Sequence, residues 1–91
     1  MVAQERRDLN AAEGWYMKSL DISLKQGNEH GAALTYHQLG CVAQERRDLN
    51  AAEGWYRKSL DIFERYQDEY RANIVKSSLD RLDNIRNGGT D

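Results

Sequence analysis

The chain has 91 residues, 40% hydrophobic and 31% charged, with a net charge of -2 and no proline, the composition of one small soluble globular domain. So little net charge gives no basic field to draw the protein onto phosphate backbones, and nucleic acid is not an expected partner. No run approaches the ~20 apolar residues of a membrane span, Met1 is followed by Val-Ala-Gln-Glu-Arg-Arg instead of a secretory core, and Cys41 is the sole cysteine; a reducing, cytoplasmic setting and no membrane association are expected.

Val2 to Ile22 and Val42 to Ile62 are the same 21 residues forty positions apart, differing only at Met17 and Arg57. A period of this size marks a repeat that buries its apolar face by stacking on a neighbouring copy. Strong helix formers fill the segments between sparse glycine and asparagine interruptions, which predicts an all-α chain. In the first copy Ala12, Trp15, Tyr16, Ser19, Leu20, Ile22 and Leu24 recur at helical steps, predicting one broad packed face. Gly27-Asn28 closes that helix, because glycine accepts the left-handed conformation that ends helices.

A second helix is predicted from about Glu29 to Arg47, with Ala33, Tyr36, Leu39, Gly40 and Ala43 on one face. Asp48-Leu49-Asn50, like Asp8-Leu9-Asn10 forty residues earlier, offers acceptors to cap a following helix, with Glu13 and Glu53 in its first turn. Ala52, Trp55, Tyr56, Ser59, Leu60, Ile62 and Phe63 then mark the packed face of that next helix. Gly14 and Gly54 interrupt good helices at about 1 kcal/mol each relative to alanine; close backbone approach and simple inheritance in a copied unit are both open. Asp68 to Arg86 aligns with the second helix at a forty-residue offset, pairing Glu69 with Glu29, Ile74 with Leu34 and Leu79 with Leu39.

Tyr36-x2-Leu39-Gly40-x2-Ala43, followed by Ala52-x3-Tyr56 and Ser59, resembles the tetratricopeptide repeat. Alanines 3 and 43 replace the second aromatic, Ser19 and Ser59 replace an alanine, and the closing proline is missing. The period exceeds the usual ~34 residues and is similar to the longer variety in kinesin light chains and bacterial multi-repeat signalling proteins. The resemblance implies a helical-hairpin solenoid, a fragment of a right-handed superhelix. Residues 1–86 form a single domain on this reading: a truncated repeat over 2–26, a full repeat over 29–67, a capping or swapped helix over 68–86, and a disordered tail at 87–91. Gly40 and Ala52 are expected where helices cross. Asp80 stands at the place of Gly40, as expected if no further helix packs there.

The resemblance also implies a noncatalytic scaffold that binds a protein or peptide in a concave groove. Carried over, the groove comprises Gln4 and Glu5, then Leu34, His37, Cys41, Gln44 and Glu45, then Ile74, Ser77 and Arg81. Chaperone-binding members clamp a terminal carboxylate with lysine and asparagine; here Arg81 is the groove's cation. The alternative is a structural module that stacks or swaps with copies of itself. Gln67-Asp68 replaces Gly27-Asn28, so the run from Trp55 to Asn87 permits either a turn capped by Asp68 or one continuous helix that swaps into a second chain. An open first repeat makes a homodimer the expected assembly. Recent duplication or deliberate repetition accounts for copies that match even at solvent positions such as Glu5 and Glu45.

Other chemistry is thinly supported by these residues. His37 and Cys41, four apart on one helix, supply half of a zinc or copper site, with Asp48 and His30 nearby. A Cys-His nucleophile lacks an orienting group and oxyanion donors, so neither enzyme activity nor a cofactor is expected. The arginine pairs 6–7 and 46–47 suit the negative end of a helix dipole. Trp15 and Trp55 are expected in core and inter-repeat packing rather than as base-stacking platforms, and Asp80 and Asp83 on a solvated face.

Overall fold

A computed structural model of the protein describes residues 8–88. Its helices are α1 (Leu9–Lys25), α2 (Glu29–Glu45), α3 (Leu49–Arg65) and α4 (Glu69–Arg86). The expectations for Gln4 and Glu5, and for the end of the tail, lie outside the described residues.

Each joint between helices is built the same way. Gly27 (φ 71°), Arg47 (φ 67°) and Gln67 (φ 58°) take the left-handed conformation. The N–H of the following residue reaches back to the carbonyl five residues earlier: Asn28 to Ser23 at 2.8 Å, Asp48 to Ala43 at 2.9 Å, Asp68 to Phe63 at 2.8 Å. These backbone bonds satisfy carbonyls at the helix end in the Schellman manner. The same Asn28, Asp48 and Asp68 then cap the next helix, accepting from the backbone N–H of Gly31 (2.9 Å), Ala51 (3.3 Å) and Arg71 (3.2 Å). One residue thus ends one helix and starts another, and turns recur at a twenty-residue spacing. Arg47 therefore lies in the turn, and α2 is two residues shorter than the sequence predicts. Of the outcomes open between Trp55 and Asn87, the chain takes the capped turn, since backbone geometry and Asp68 replace the missing glycine.

The helices nest as antiparallel neighbours. Ala33 and Ala43 of α2 pack with Ala52, Tyr56, Ile62 and Phe63 of α3, and the cluster runs on to Ala72, Val75 and Leu82 of α4. A smaller cluster joins Leu20 of α1 to Ala32 and Leu39 of α2. Gly40 sits against the Tyr56 ring, where a Cβ would fall 2.5 Å from ring carbons. Ser59 Oγ donates to the Ala33 carbonyl at 2.8 Å, which accounts for a hydroxyl where the repeat pattern has alanine. Gly14 and Gly54 have open space at the Cβ position, so close approach is not the reason for either glycine.

Identical copies do not have identical surroundings. In α3, Trp55 is half-buried and stacks on Tyr36 with ring centres 5.7 Å apart. In α1, Trp15 is 69% exposed, with Ile22 and Leu24 also facing solvent. The expectation of two packed tryptophans is corrected for Trp15, as is the single packed face of α1, where Leu20 is buried and Tyr16 half-buried. The difference lies in what packs on each: the Tyr36 ring of α2 stacks on Trp55, whereas among the described residues no ring stacks on Trp15.

Candidate functional site

The side chains placed in a groove by sequence lie on α2 and α4, which run beside each other on the same side of α3. Leu34 and Ile74, forty residues apart, are 44% and 42% exposed. With His37, Phe63, Tyr70, Arg71 and Val75 they line a cleft of about 100 Å³. Tyr70, 74% exposed, gives the cleft an aromatic rim.

The middle of the face is tied to the scaffold. His37 Nε2 and Ser78 Oγ share a hydrogen bond of 2.9 Å that links α2 to α4. Burial pulls the His37 pKa below its ordinary value, so the imidazole is neutral at neutral pH and brings no positive charge. Tyr56 OH donates to Gln44 Oε1 at 2.8 Å and lies 3.7 Å from Cys41 Sγ. Burial first, then the contact with Cys41, pushes the Tyr56 phenol well above its usual pKa. Gln44 and Cys41 are thus partly committed to holding the Tyr56 ring over Gly40. At the far end Glu45, Ser77 and Arg81 are exposed, and Gln44 and Glu45 border a shallow hollow with Arg47 and Ile85.

The structure therefore brings Leu34, His37 and Ile74 to one cleft, and sets Cys41, Gln44, Glu45, Ser77 and Arg81 along the same pair of helices. Sequence reasoning missed Tyr70, Arg71 and Ser78. Tyr70 had a signal, since it aligns with His30 near the start of α2. Ser78 had none, because its counterpart Gln38 is exposed. His30 itself bonds Asp68 Oδ2 at 2.8 Å, and with Arg71 at 3.1 Å it holds that carboxyl below the usual carboxylate range. Among the described residues no three His, Cys, Asp or Glu side chains converge on a possible metal position, so His37 and Cys41 remain a pair.

Arg46 acts chiefly across helices rather than on its own helix end. It pairs with Glu13 Oε1 at 3.0 Å and bonds Asn10 Oδ1. Forty residues on, Arg86 meets Glu53 Oε1 at 2.7 Å, Asn50 Oδ1 at 3.0 Å and the Leu49 carbonyl at 3.2 Å. Glu13 and Glu53 are the anions of these clamps rather than first-turn dipole charges.

Helix pairs keyed together at this interval, with small residues at the crossings, define an α-helical solenoid. The family model described as tetratricopeptide repeat matches residues 1–65, and the chain belongs to that family, whose members are generally noncatalytic mediators of protein–protein interaction. No curated protein and no solved structure matches the chain. Among the described residues no helix is long and apolar enough to cross a membrane.

Proposed function

We propose that the chain is a noncatalytic interaction module that takes a peptide or partner segment along the face between α2 and α4. It would do so in a reducing, cytoplasmic setting where Cys41 stays a thiol. The observation that carries this reading is the cluster of Leu34, Tyr70 and Ile74, large apolar side chains left exposed around one cleft. Contiguous exposed apolar surface on a small domain favours an occupant. Glu45, Ser77 and Arg81 would add polar contacts at the other end, while His37, Cys41 and Gln44 hold the wall in shape. The small area implies modest affinity for a short segment.

Self-assembly by swapping draws less support, because the backbone closes the turn at Gln67 within one chain. Head-to-tail stacking meets polar Asn73, Lys76, Asp80 and Asp83 on α4, at the places of Ala33, Tyr36, Gly40 and Ala43. The test is a displayed random-peptide library panned on the intact chain. Enriched peptides should carry an apolar anchor and lose at least tenfold in affinity against Leu34→Asp or Ile74→Asp, on the order expected for an interface anchor. Peptides that bind both variants as well as the parent would refute the groove.

A further inference from the structure

One wall of the cleft between α2 and α4 can change its charge. His37 lines it beside Leu34, Phe63 and Ile74. The imidazole is half-buried, its ring centre 5.4 Å from that of Tyr56, and Nε2 is tied to the Ser78 hydroxyl at 2.9 Å. The titratable and charged groups around it are Cys41 from its own helix, Tyr56 from α3, and Tyr70, Arg71 and, one turn past Ser78, Arg81 from α4. None is a carboxylate. Among the described residues no acid lies within ion-pair reach of the imidazole. Asp68 is held by His30 and Arg71, and Glu45 stands two turns further along α2, about 12 Å away by helical rise. The Tyr56 ring would favour a cation beside it, yet burial outweighs that attraction, since the His37 pKa lies below its ordinary value. An imidazolium here would stand in a half-dry cleft with no anion to offset it.

We propose that His37 is a charge gate for the groove: the cleft accepts an apolar side chain of a bound segment while the imidazole is neutral and refuses it once the ring is protonated. The gate deepens the groove reading given above and rests on it. An apolar cavity of about 150 Å³ takes benzene, so a cleft of about 100 Å³ has room for a single aliphatic side chain. Such a group would lie against the His37 ring and displace the water that reaches it. A protonated ring depends on that water, because Ser78 serves one nitrogen and no described side chain serves Nδ1. Its loss costs the charged form far more than the neutral one, so occupancy and protonation compete. The segment binds at full strength above about pH 6.5 and weakens as the pH falls through the midpoint of the empty chain. A segment that offered a carboxylate to His37 would show the opposite slope, so the direction of the change identifies the anchor as apolar.

The test uses the full chain and a peptide panned at about pH 7.5 from a library without Asp, Glu or His, acetylated and amidated so that it carries no group titrating near neutrality. The His37 Cε1–H proton resonance, identified by its loss in His37→Gln and its retention in His30→Gln, gives the titration midpoint of the empty chain. Circular dichroism establishes that the chain stays folded through it. Between one pH unit above and one below that midpoint the affinity should fall about fivefold, the change that a one-unit displacement of the midpoint by the peptide produces. At the midpoint itself, saturating peptide should move the resonance toward its neutral position. His37→Gln should bind equally, within about twofold, at the two pH values; if that variant does not fold, the direction in which the resonance moves decides alone. Equal affinity on both sides of the midpoint, tighter binding in acid, or the same slope in His37→Gln overturns the gate and leaves the groove standing where Leu34→Asp abolishes binding. Peptides indifferent to Leu34→Asp, or no enriched peptide at all, refute the groove and the gate with it. An imidazole that stays neutral until the chain unfolds also overturns the gate, since it leaves the groove no charge to read.

Discussion

At Gly40 a single carbon decides whether α2 and α3 can close. The Tyr56 ring that a Cβ would strike is itself buried and held by its bond to Gln44, so it has little room to give. Gly40→Ala should therefore destabilise the chain by about 1–3 kcal/mol, the range for overpacking, despite alanine's better helix propensity. A urea midpoint unchanged by the substitution would mean the ring moves aside. Gln67 is the reverse case, a side chain in a left-handed position that glycine occupies at less cost. Gln67→Gly should raise stability by roughly 0.5–1 kcal/mol after the entropy of a freer unfolded chain is subtracted; a lower midpoint would show that the side chain contributes more than the backbone strain. His37 adds a pH dependence. Because burial depresses its folded pKa, the unfolded chain takes up the proton first, so the stability due to neutral His37 is complete above about pH 6.5 and lost as pH falls through the lower folded value. Unfolding midpoints at pH 7.5 and 5 should drop less for His37→Gln than for the parent, and an equal drop would place the titration elsewhere.

At the level of elements, the sequence legibly predicts helices but not what each face meets. Helical spacing in α3 and the Leu-Gly pair in α2 identify faces that do pack, because both neighbours are present. The identical spacing in α1 promises the same burial, yet Trp15, Ser19 and Ile22 are exposed; a pattern records what a face can bury, not whether a partner stands there. The inter-repeat clamps were equally hard to foresee, since Arg46 and Glu13 are distant in sequence and each has a plausible local role on its own helix. The turn at Gln67 escaped a residue-type rule because backbone bonds to Phe63 and Glu64 make it without glycine. If Arg46 and Glu13 key α1 to α2, a double-mutant cycle with Arg46→Ala and Glu13→Ala should give a coupling of about 0.2–1 kcal/mol, the range of a partly exposed pair. That coupling should shrink in 1 M salt, and purely additive losses would reduce the pair to a surface contact.

Across the whole molecule, burial is graded from end to end, which follows from stacking in one dimension: each helix is stabilised only by those beside it. Helices α2 and α3 have neighbours on both sides and hold most of the core, whereas α1 contributes Leu20 as its one buried residue. Helix α4 differs again, since Ala72, Val75, Ser78 and Leu82 are buried inward while its outer positions are polar. The groove spans α2 and α4, so its wall should be as durable as the pair α2–α3 that supports it, with His37 and Ser78 bridging the two sides. Hydrogen exchange can read this gradient directly, because amides in a helix with few buried contacts open locally at less cost than global unfolding. Amides of α1 from Tyr16 to Leu24 should exchange first, those of α4 next, and those around Ala33, Leu39, Tyr56 and Phe63 only with global unfolding. Equal protection across all helices in the chain alone would mean that it opens as one unit and that the bareness of α1 has no energetic consequence.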